Sequence, residues 1–247
     1  MSDTPNPMAA ALRLGKPELR RRFYKRAGAG PHAGGFAVLL DGKAALTPGR
    51  KPLAVSDRRL AEALAAEWEA QGERIDPAAM ALTRLVNTAI DRVSLNGDAV
   101  RAEIVRYASS DLLCYRADGP QSLVEAQAAA WDPLISWARE ALAAGFVLVA
   151  GVTHQPQDPA TIIAVERALT SLDPLQLAAV HAITTLTGSA ILAVAVLKRR
   201  LSTGEAWAAA YVDEDWQMAH WGTDEIALSR QAARQLDLAA AGFLLGR

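Results

Sequence analysis

The stretch Phe36-Ala-Val-Leu-Leu40-Asp41-Gly42-Lys43-Ala-Ala-Leu46 sets the character of the N-terminal part. Two apolar runs flank an Asp-Gly pair. That pair supplies the positive φ angles of a type I′ turn, so the stretch predicts a β-hairpin. Upstream, Arg22-Phe-Tyr-Lys-Arg26 is expected to be a partner strand. The segment Gly28 to Ala33 between them reads as a flexible turn. Downstream, Thr47-Pro48-Gly49 reads as a second turn and Leu53-Ala-Val55 as a short further strand.

From Ser56 the period changes. Leu60, Leu64 and Trp68 sit four apart, on one helix face, with Ser56 or Asp57 as cap and Gly72 as the end. Leu82, Leu85, Val86, Ala89, Ile90 and Val93 follow the spacing of an amphipathic helix, and Val100 to Ala108 makes a shorter one. Leu123 to Leu142 is helical, with Pro133 expected to kink it or to start a new helix capped by Asp132. Phe146-Val-Leu-Val-Ala150 is ambiguous, and its β-branched content favours a buried strand returning to the first sheet. Asp158-Pro159 and Asp173-Pro174 are cap-plus-first-turn pairs. Ser189 to Leu197 is apolar on every side, as a helix enclosed by others would be. Ser202-Thr-Gly-Glu205 is a capping box, and a last helix is expected from about Thr223 to Phe243. The reading is an α+β, mostly helical protein. A small β-rich N-terminal domain over residues 1–78 precedes an all-α C-terminal domain over 79–247.

Composition narrows the function classes. The 247 residues are 51% apolar and 21% charged, which is globular and sufficient for a sizeable core. A single cysteine, Cys114, forbids an internal disulfide and a cysteine-based zinc site. No apolar run approaches the ~18–20 residues that span a bilayer, and the start does not read as a secretory signal. A cytoplasmic protein without membrane insertion is expected. Residues 1–60 hold 12 basic and 4 acidic side chains, whereas residues 61–247 hold 14 and 23. The basic cluster is short and no series of aromatic residues follows it, which disfavours nucleic acid.

Signatures of catalysis are sparse. Gly28-Ala-Gly30-Pro-His-Ala33 fits a dinucleotide pattern in letters only, because a hairpin strand rather than a helix follows. His32, His154, His181 and His220 lie far apart, with no partner at ligand spacing. Cys114 reads as a buried, inert thiol. No cofactor, metal site or catalytic residue is expected. The exception in character is Tyr211-Val-Asp-Glu-Asp-Trp-Gln-Met-Ala-His-Trp-Gly-Thr-Asp-Glu225, with five acidic and no basic side chains. On a helix Asp213, Trp216 and His220 share a face. Asp213, Glu214 and Asp215 diverge by about 100° each, so they do not converge on a metal. The stretch reads either as a solvated face with core tryptophans or as a protein-binding patch of aromatic anchors beside charges.

Several segments together resemble a known family, the assembly chaperone for the alpha subunit of the F-type ATP synthase catalytic head, found in mitochondria and some bacteria. They are Phe23-Tyr24-Lys25, Leu40-Asp41-Gly42-Lys43 with Thr47-Pro48, Leu53, and Glu67-Trp68 with Gln71 and Ile75. Met80 to Thr83, Thr88-Ala89-Ile90-Asp91, Asp111 with Cys114-Tyr115-Arg116, and the acidic run with Gln217, Trp221 and Gly222 extend the likeness over about Arg22 to Ala241. Two positions depart from it: Ala81 stands where the family has proline, and Lys43 where arginine is commoner. The resemblance implies a small α+β domain and an all-helical one. It also implies a non-enzymatic role, in which the protein holds the free alpha subunit, with no small-molecule substrate, until the beta subunit takes the same surface.

On this resemblance the partner-binding residues are Glu214, Asp215, Trp216, Gln217, Trp221, Asp224 and Glu225. Glu214 best matches the family's functional acidic position, with Asp213 and Asp215 as the other candidates. Asp41, Gly42, Glu67 and Trp68 are expected to be structural, with Trp68 in the core. The competing reading is a small-molecule enzyme with a carboxylate site between the domains, built on Asp91, Asp111 or Glu214.

Overall fold

The computed structural model describes residues 19–151, 153–222 and 225–246, and the side chains of all of these except 225–229. Pro5, Pro7 and the polar start predict that the first dozen or so residues are not ordered, and these lie outside the described residues. The chain divides into two compact units: Met1–Ala44 with Ala54–Met80, and Ala45–Leu53 with Ala81–Arg247.

The first unit is a small antiparallel sheet with one helix on it. Strands β1 (Ala27–His32), β2 (Gly35–Leu40), β3 (Lys43–Ala44) and β4 (Ala54–Val55) are all organised on β2. The Asp41-Gly42 turn has φ of 48° and 82°, the type I′ geometry that Asp-Gly favours. The partner of β2 is not residues 22–26 but β1, whose Ala27 faces Leu40 and whose His32 faces Gly35. Glycine and proline gave β1 the look of a turn; pairing with β2 overrides that weak local preference. Helix α1 (Arg58–Glu69) is capped by Asp57 and packs Leu60 and Leu64 onto the sheet.

Arg22 locks the end of α1 to the N-terminal segment. Its guanidinium donates to the carbonyls of Glu69 (3.0 Å), Gln71 and Lys25 (3.0 Å), pairs with the Glu69 carboxylate and lies over the Tyr24 ring. Tyr24 in turn donates to the Trp68 carbonyl at 2.6 Å and meets the Trp68 ring edge-on. Trp68 is half-buried in this cluster rather than enclosed. Gln71, at 8% exposure, donates to the Glu67 carbonyl and accepts from the Asp76 amide. Asp41 accepts from the Lys25 and Arg26 amides, which holds its carboxyl below the usual carboxylate range. Of the four residues expected to be structural, Asp41 accepts from the Lys25 and Arg26 amides, Glu67 and Trp68 accept through their carbonyls from Gln71 and Tyr24, and Gly42 supplies the second positive φ of the hairpin turn.

The second unit is mainly helical, with a two-residue parallel ladder and a bridge between Leu46 and Pro52 among its described residues. It contains α2 (Ala81–Thr88), a π-helical turn (Ala89–Val93), α3 (Gly97–Ala108), α4 (Gln121–Leu142), α5 (Pro159–Leu169), α6 (Pro174–Thr187), α7 (Ala190–Leu197), α8 (Thr203–Ala210), α9 (Val212–Trp221) and α10 (Glu225–Leu244). The expected caps at Asp158, Asp173 and Ser202 are present, the last two as full capping boxes. Pro133 lies inside an unbroken α4. Asp132 forms an ion pair with Arg116 at 2.9 Å instead of capping a new helix. Residues 146–150 do not return to the first sheet. Only Val149–Ala150 (β6) is a strand, parallel to Tyr115–Arg116 (β5), while Phe146 is buried and Val147 and Leu148 are exposed.

Residues 45–53 belong to the second unit although residues of the first flank them in sequence. Asp91 on the π-helical turn accepts from the Thr47 hydroxyl and the Gly49 amide, each at 2.7 Å. A Cβ at Gly49 would stand 2.6 Å from that carboxylate, so a larger residue there would displace the Asp91 side chain from these bonds. Lys51 adds a bond to the Ile90 carbonyl.

Helix α7 is buried on all sides, packed by α3, α4, α5, α6 and α8. Its first turn is held by Ser189, whose hydroxyl accepts from the Leu192 amide, and by Asp111, whose carboxylate accepts from the amides of Ile191 (3.0 Å) and Leu113 (3.1 Å). Asp111 is fully buried, and desolvation pushes its pKa from 3.8 to about 6 despite these bonds. The folded state therefore takes up a proton between about pH 4 and 6. Stability linked to Asp111 is present below that window and lost as pH rises through it, by about 3 kcal/mol in all. Subtracting the Tm–pH profile of Asp111→Asn from that of the unmodified chain should leave a component that falls from pH 4 to 6. Parallel profiles would show that Asp111 does not titrate there.

Replacing Trp68 by alanine removes the ring against Tyr24 and should cost about 2–3 kcal/mol, below the ~3–5 of a fully buried tryptophan. Thermal unfolding checks this, and an unchanged Tm would remove Trp68 from the framework of the first unit.

Candidate functional site

The acidic–aromatic stretch forms α9, which contains no buried residue. It begins where α8 ends. Tyr211 leaves the helical conformation (φ −107°, ψ 17°) and serves as C-cap of one helix and N-cap of the next. Its ring stacks on Trp207 at 4.0 Å, under the Arg234 guanidinium. Burial raises the Tyr211 pKa, with Arg234 opposing and Glu214 adding to the rise. Gly222, with φ of 90°, ends α9, and its amide bonds the Met218 carbonyl at 3.0 Å.

Helical spacing sorts α9 into two stripes. The inner one is Asp213, Trp216 and His220. Asp213 accepts from the Gln127 side chain at 2.7 Å, and Gln127, at 3% exposure, also accepts from the Ala117 amide. The Trp216 indole donates to the Ser122 hydroxyl at 3.1 Å. The His220 ring stacks on Trp216, centroids 4.0 Å apart and 24° from parallel. Its Nδ1 lies 2.7 Å from the Trp216 carbonyl. A carbonyl only accepts, so Nδ1 carries a proton.

The outer stripe is Glu214, Gln217 and Trp221, with Asp215 beside it, all exposed. Trp221 meets Trp216 edge-on at 5.5 Å and is 74% exposed, the highest among the large apolar side chains described. The result is a cluster of three rings with two exposed carboxylates on one helix, which packs against α4 and α8.

Of the seven residues expected to bind a partner, the structure brings five together: Glu214, Asp215, Trp216, Gln217 and Trp221. Asp224 lies outside the described residues. Glu225 opens α10, and its side chain is not among those described. Asp213 is engaged by Gln127, which leaves Glu214 and Asp215 as the carboxylates facing solvent. Gln127 and Ser122 were not singled out from the sequence. The available signal was a glutamine on the stripe shared by Trp131, Leu134 and Ala138, which are buried on α4.

The three carboxylates of the competing enzyme reading have separate fates. Asp91 is committed to Thr47 and Gly49, Asp111 to the start of α7, and Glu214 stands in solvent. His181 pairs with Glu103 at 3.0 Å. Cys114 is buried, and its thiol is pushed up to about 12, chiefly by desolvation. Among the described residues no group of three or more His, Cys, Asp or Glu side chains is placed to hold a metal ion. No described helix is long and apolar enough to cross a membrane.

Residues 21–139 match the family model described as the ATP12 chaperone protein. The chain is 46% identical to the Atu1473 protein of Agrobacterium tumefaciens, with a TM-score of 0.88, over 99% of this chain and 92% of that one. It is 43% identical to Atp12 of Paracoccus denitrificans, with a TM-score of 0.84, over 92% of this chain and 97% of that one. A structure of the Paracoccus denitrificans Atp12p with one aspartate replaced by lysine matches at the same identity and TM-score, over 92% of this chain and 98% of that one. With this identity over nearly the full length of Atp12, the chain belongs to the ATP12 chaperone family.

Proposed function

We propose that this protein is an assembly chaperone of the F-type ATP synthase, which binds the free alpha subunit and covers its subunit interface until the beta subunit docks. The observation that carries the reading is α9, an aromatic helix without a buried residue whose Trp216 and His220 rings are stacked. Unassembled subunits expose apolar surface and aggregate, and a chaperone needs a matching surface of its own. Trp216 and Trp221 supply the apolar contact. Glu214, Asp215 and Gln217, with Asp224 and Glu225 next in sequence, supply charge and hydrogen bonding at its rim.

Release in this reading requires only competition: the beta subunit wins the same surface, and neither catalysis nor cofactor enters. The commitment of Asp91 and Asp111 to structural bonds supports a non-enzymatic role. We place the protein in the cytoplasm. Residues 1–78 and 79–247 serve as its small and helical domains, with the loop 45–53 grouped with the second.

The test is co-elution with the cognate alpha subunit on size exclusion, suppression of alpha-subunit aggregation, and displacement by beta. Failure to co-elute, with both proteins folded, would overturn the proposal. Glu214→Lys should lower Tm only slightly, because the side chain is exposed and its interaction with the helix dipole is worth about 0.3–1 kcal/mol, and it should weaken alpha binding. Trp221→Ala should weaken it by about tenfold or more, as loss of an aromatic anchor does. Normal binding by both variants would move the client surface away from α9.

A further inference from the structure

The N-terminal segment of the first unit carries a second exposed patch, opposite in charge to α9. Residues 20–22 run antiparallel to 73–75, through the Arg22 amide to the Glu73 carbonyl and the Ile75 amide to the Arg20 carbonyl, each at 2.8 Å. In this extended run Arg22 and Tyr24 turn inward, where they lock the end of α1. Arg21, Phe23 and Lys25 turn outward, flanked by exposed Arg20 and Arg26. Phe23 is 64% exposed, and the Arg20 guanidinium lies 5.9 Å from its ring centroid. Among the described residues none of Arg20, Arg21, Lys25 and Arg26 forms a salt bridge, whereas Arg22 between them pairs with Glu69.

Folding accounts for Arg22 and Tyr24; Phe23 meets the Tyr24 ring edge-on with centroids 5.4 Å apart, yet most of its surface stays exposed. An apolar ring set among four cations, over a strip of about 20 Å, has the anatomy of an interface core with a charged rim. We infer that this strip is a second docking surface, which takes an acidic segment with an apolar side chain from the client protein. The inference rests on the chaperone reading above. A protein fits better than a nucleic acid. One ring offers no stacking series along a strand, and the rest of the chain, with its excess of acidic side chains, repels a polyanion. The two patches differ in sign, so the Phe23 strip selects an acidic part of the client and α9 a basic one.

Three variants of the full chain test this by titration with the cognate alpha subunit at rising salt. Arg20→Glu/Arg21→Glu should keep the native Tm and bind about tenfold more weakly at low salt, with the deficit shrinking as salt screens the charges. Phe23→Ala should weaken binding while leaving the salt dependence unchanged. Glu214→Lys reports on α9 alone. Loss of binding in Glu214→Lys with normal binding in the other two would overturn the second surface and leave the chaperone reading standing. No binding by the unmodified chain would overturn both. Capture of a single-stranded 20-mer RNA that is lost in Arg20→Glu/Arg21→Glu, with alpha binding intact, would assign the strip to nucleic acid instead.

Discussion

Helix α7 has no polar face, and the second unit is arranged around that fact. Eight consecutive apolar residues cannot be half-solvated, so five helices must surround them. Ala190, Ala193 and Ala195 let neighbours approach closely. Enclosure also buries the amides that open α7, and buried amides need acceptors. Ser189 supplies one and Asp111, 80 residues upstream, another. The carboxylate is desolvated in doing so, which is why its proton affinity rises even though hydrogen bonds from the amides of Ile191, Leu113 and Ala190 and from the Ser189 side chain favour the charged form. A charged acceptor inside the core is thus a consequence of an apolar helix at its centre.

Local signals were legible. The Asp-Gly hairpin, the caps at Asp57, Asp158, Asp173 and Ser202, and the enclosed helix each depend on residues within a few positions of one another. What was not legible depends on partners far away. Strand β1 has the composition of a turn and becomes a strand only through β2. Pro133 stays inside α4 because Trp131, Leu134 and Ile135 on either side are buried in tertiary contact, which outweighs the one amide that proline lacks. Residues 146–150 have strand composition, yet Gln157 takes both the amide and the carbonyl of Val147. The loop 45–53 joins the second unit through Asp91, a link no spacing rule anticipates.

The candidate site shows the same division. Its composition and the two stripes of α9 follow from the sequence and from 3.6 residues per turn. Which stripe faces inward does not, because Gln127 and Ser122 decide it from 86 and 94 residues away. Their choice sorts three adjacent carboxylates into one structural and two exposed. Trp68 went the other way: expected in the core, it is half-buried and held by Tyr24 rather than enclosed.

Ordinary folding energetics explain part of α9. Asp213, Glu214 and Asp215 in its first turn complement the helix dipole, so acidic residues there need no partner to account for them. Trp221 has no such explanation. Trp216 is half-buried on the inner stripe and helps fasten the helix through Ser122, whereas Trp221 remains exposed. The stack of Trp216 on His220, the His220 bond to the helix backbone and the edge contact of Trp221 hold three rings against one another. Ordering large side chains is one of the main costs of association, and contacts among the rings lower it. In the proposed reading, this solvent-facing group of rings with exposed carboxylates beside it is better matched to binding than to stability.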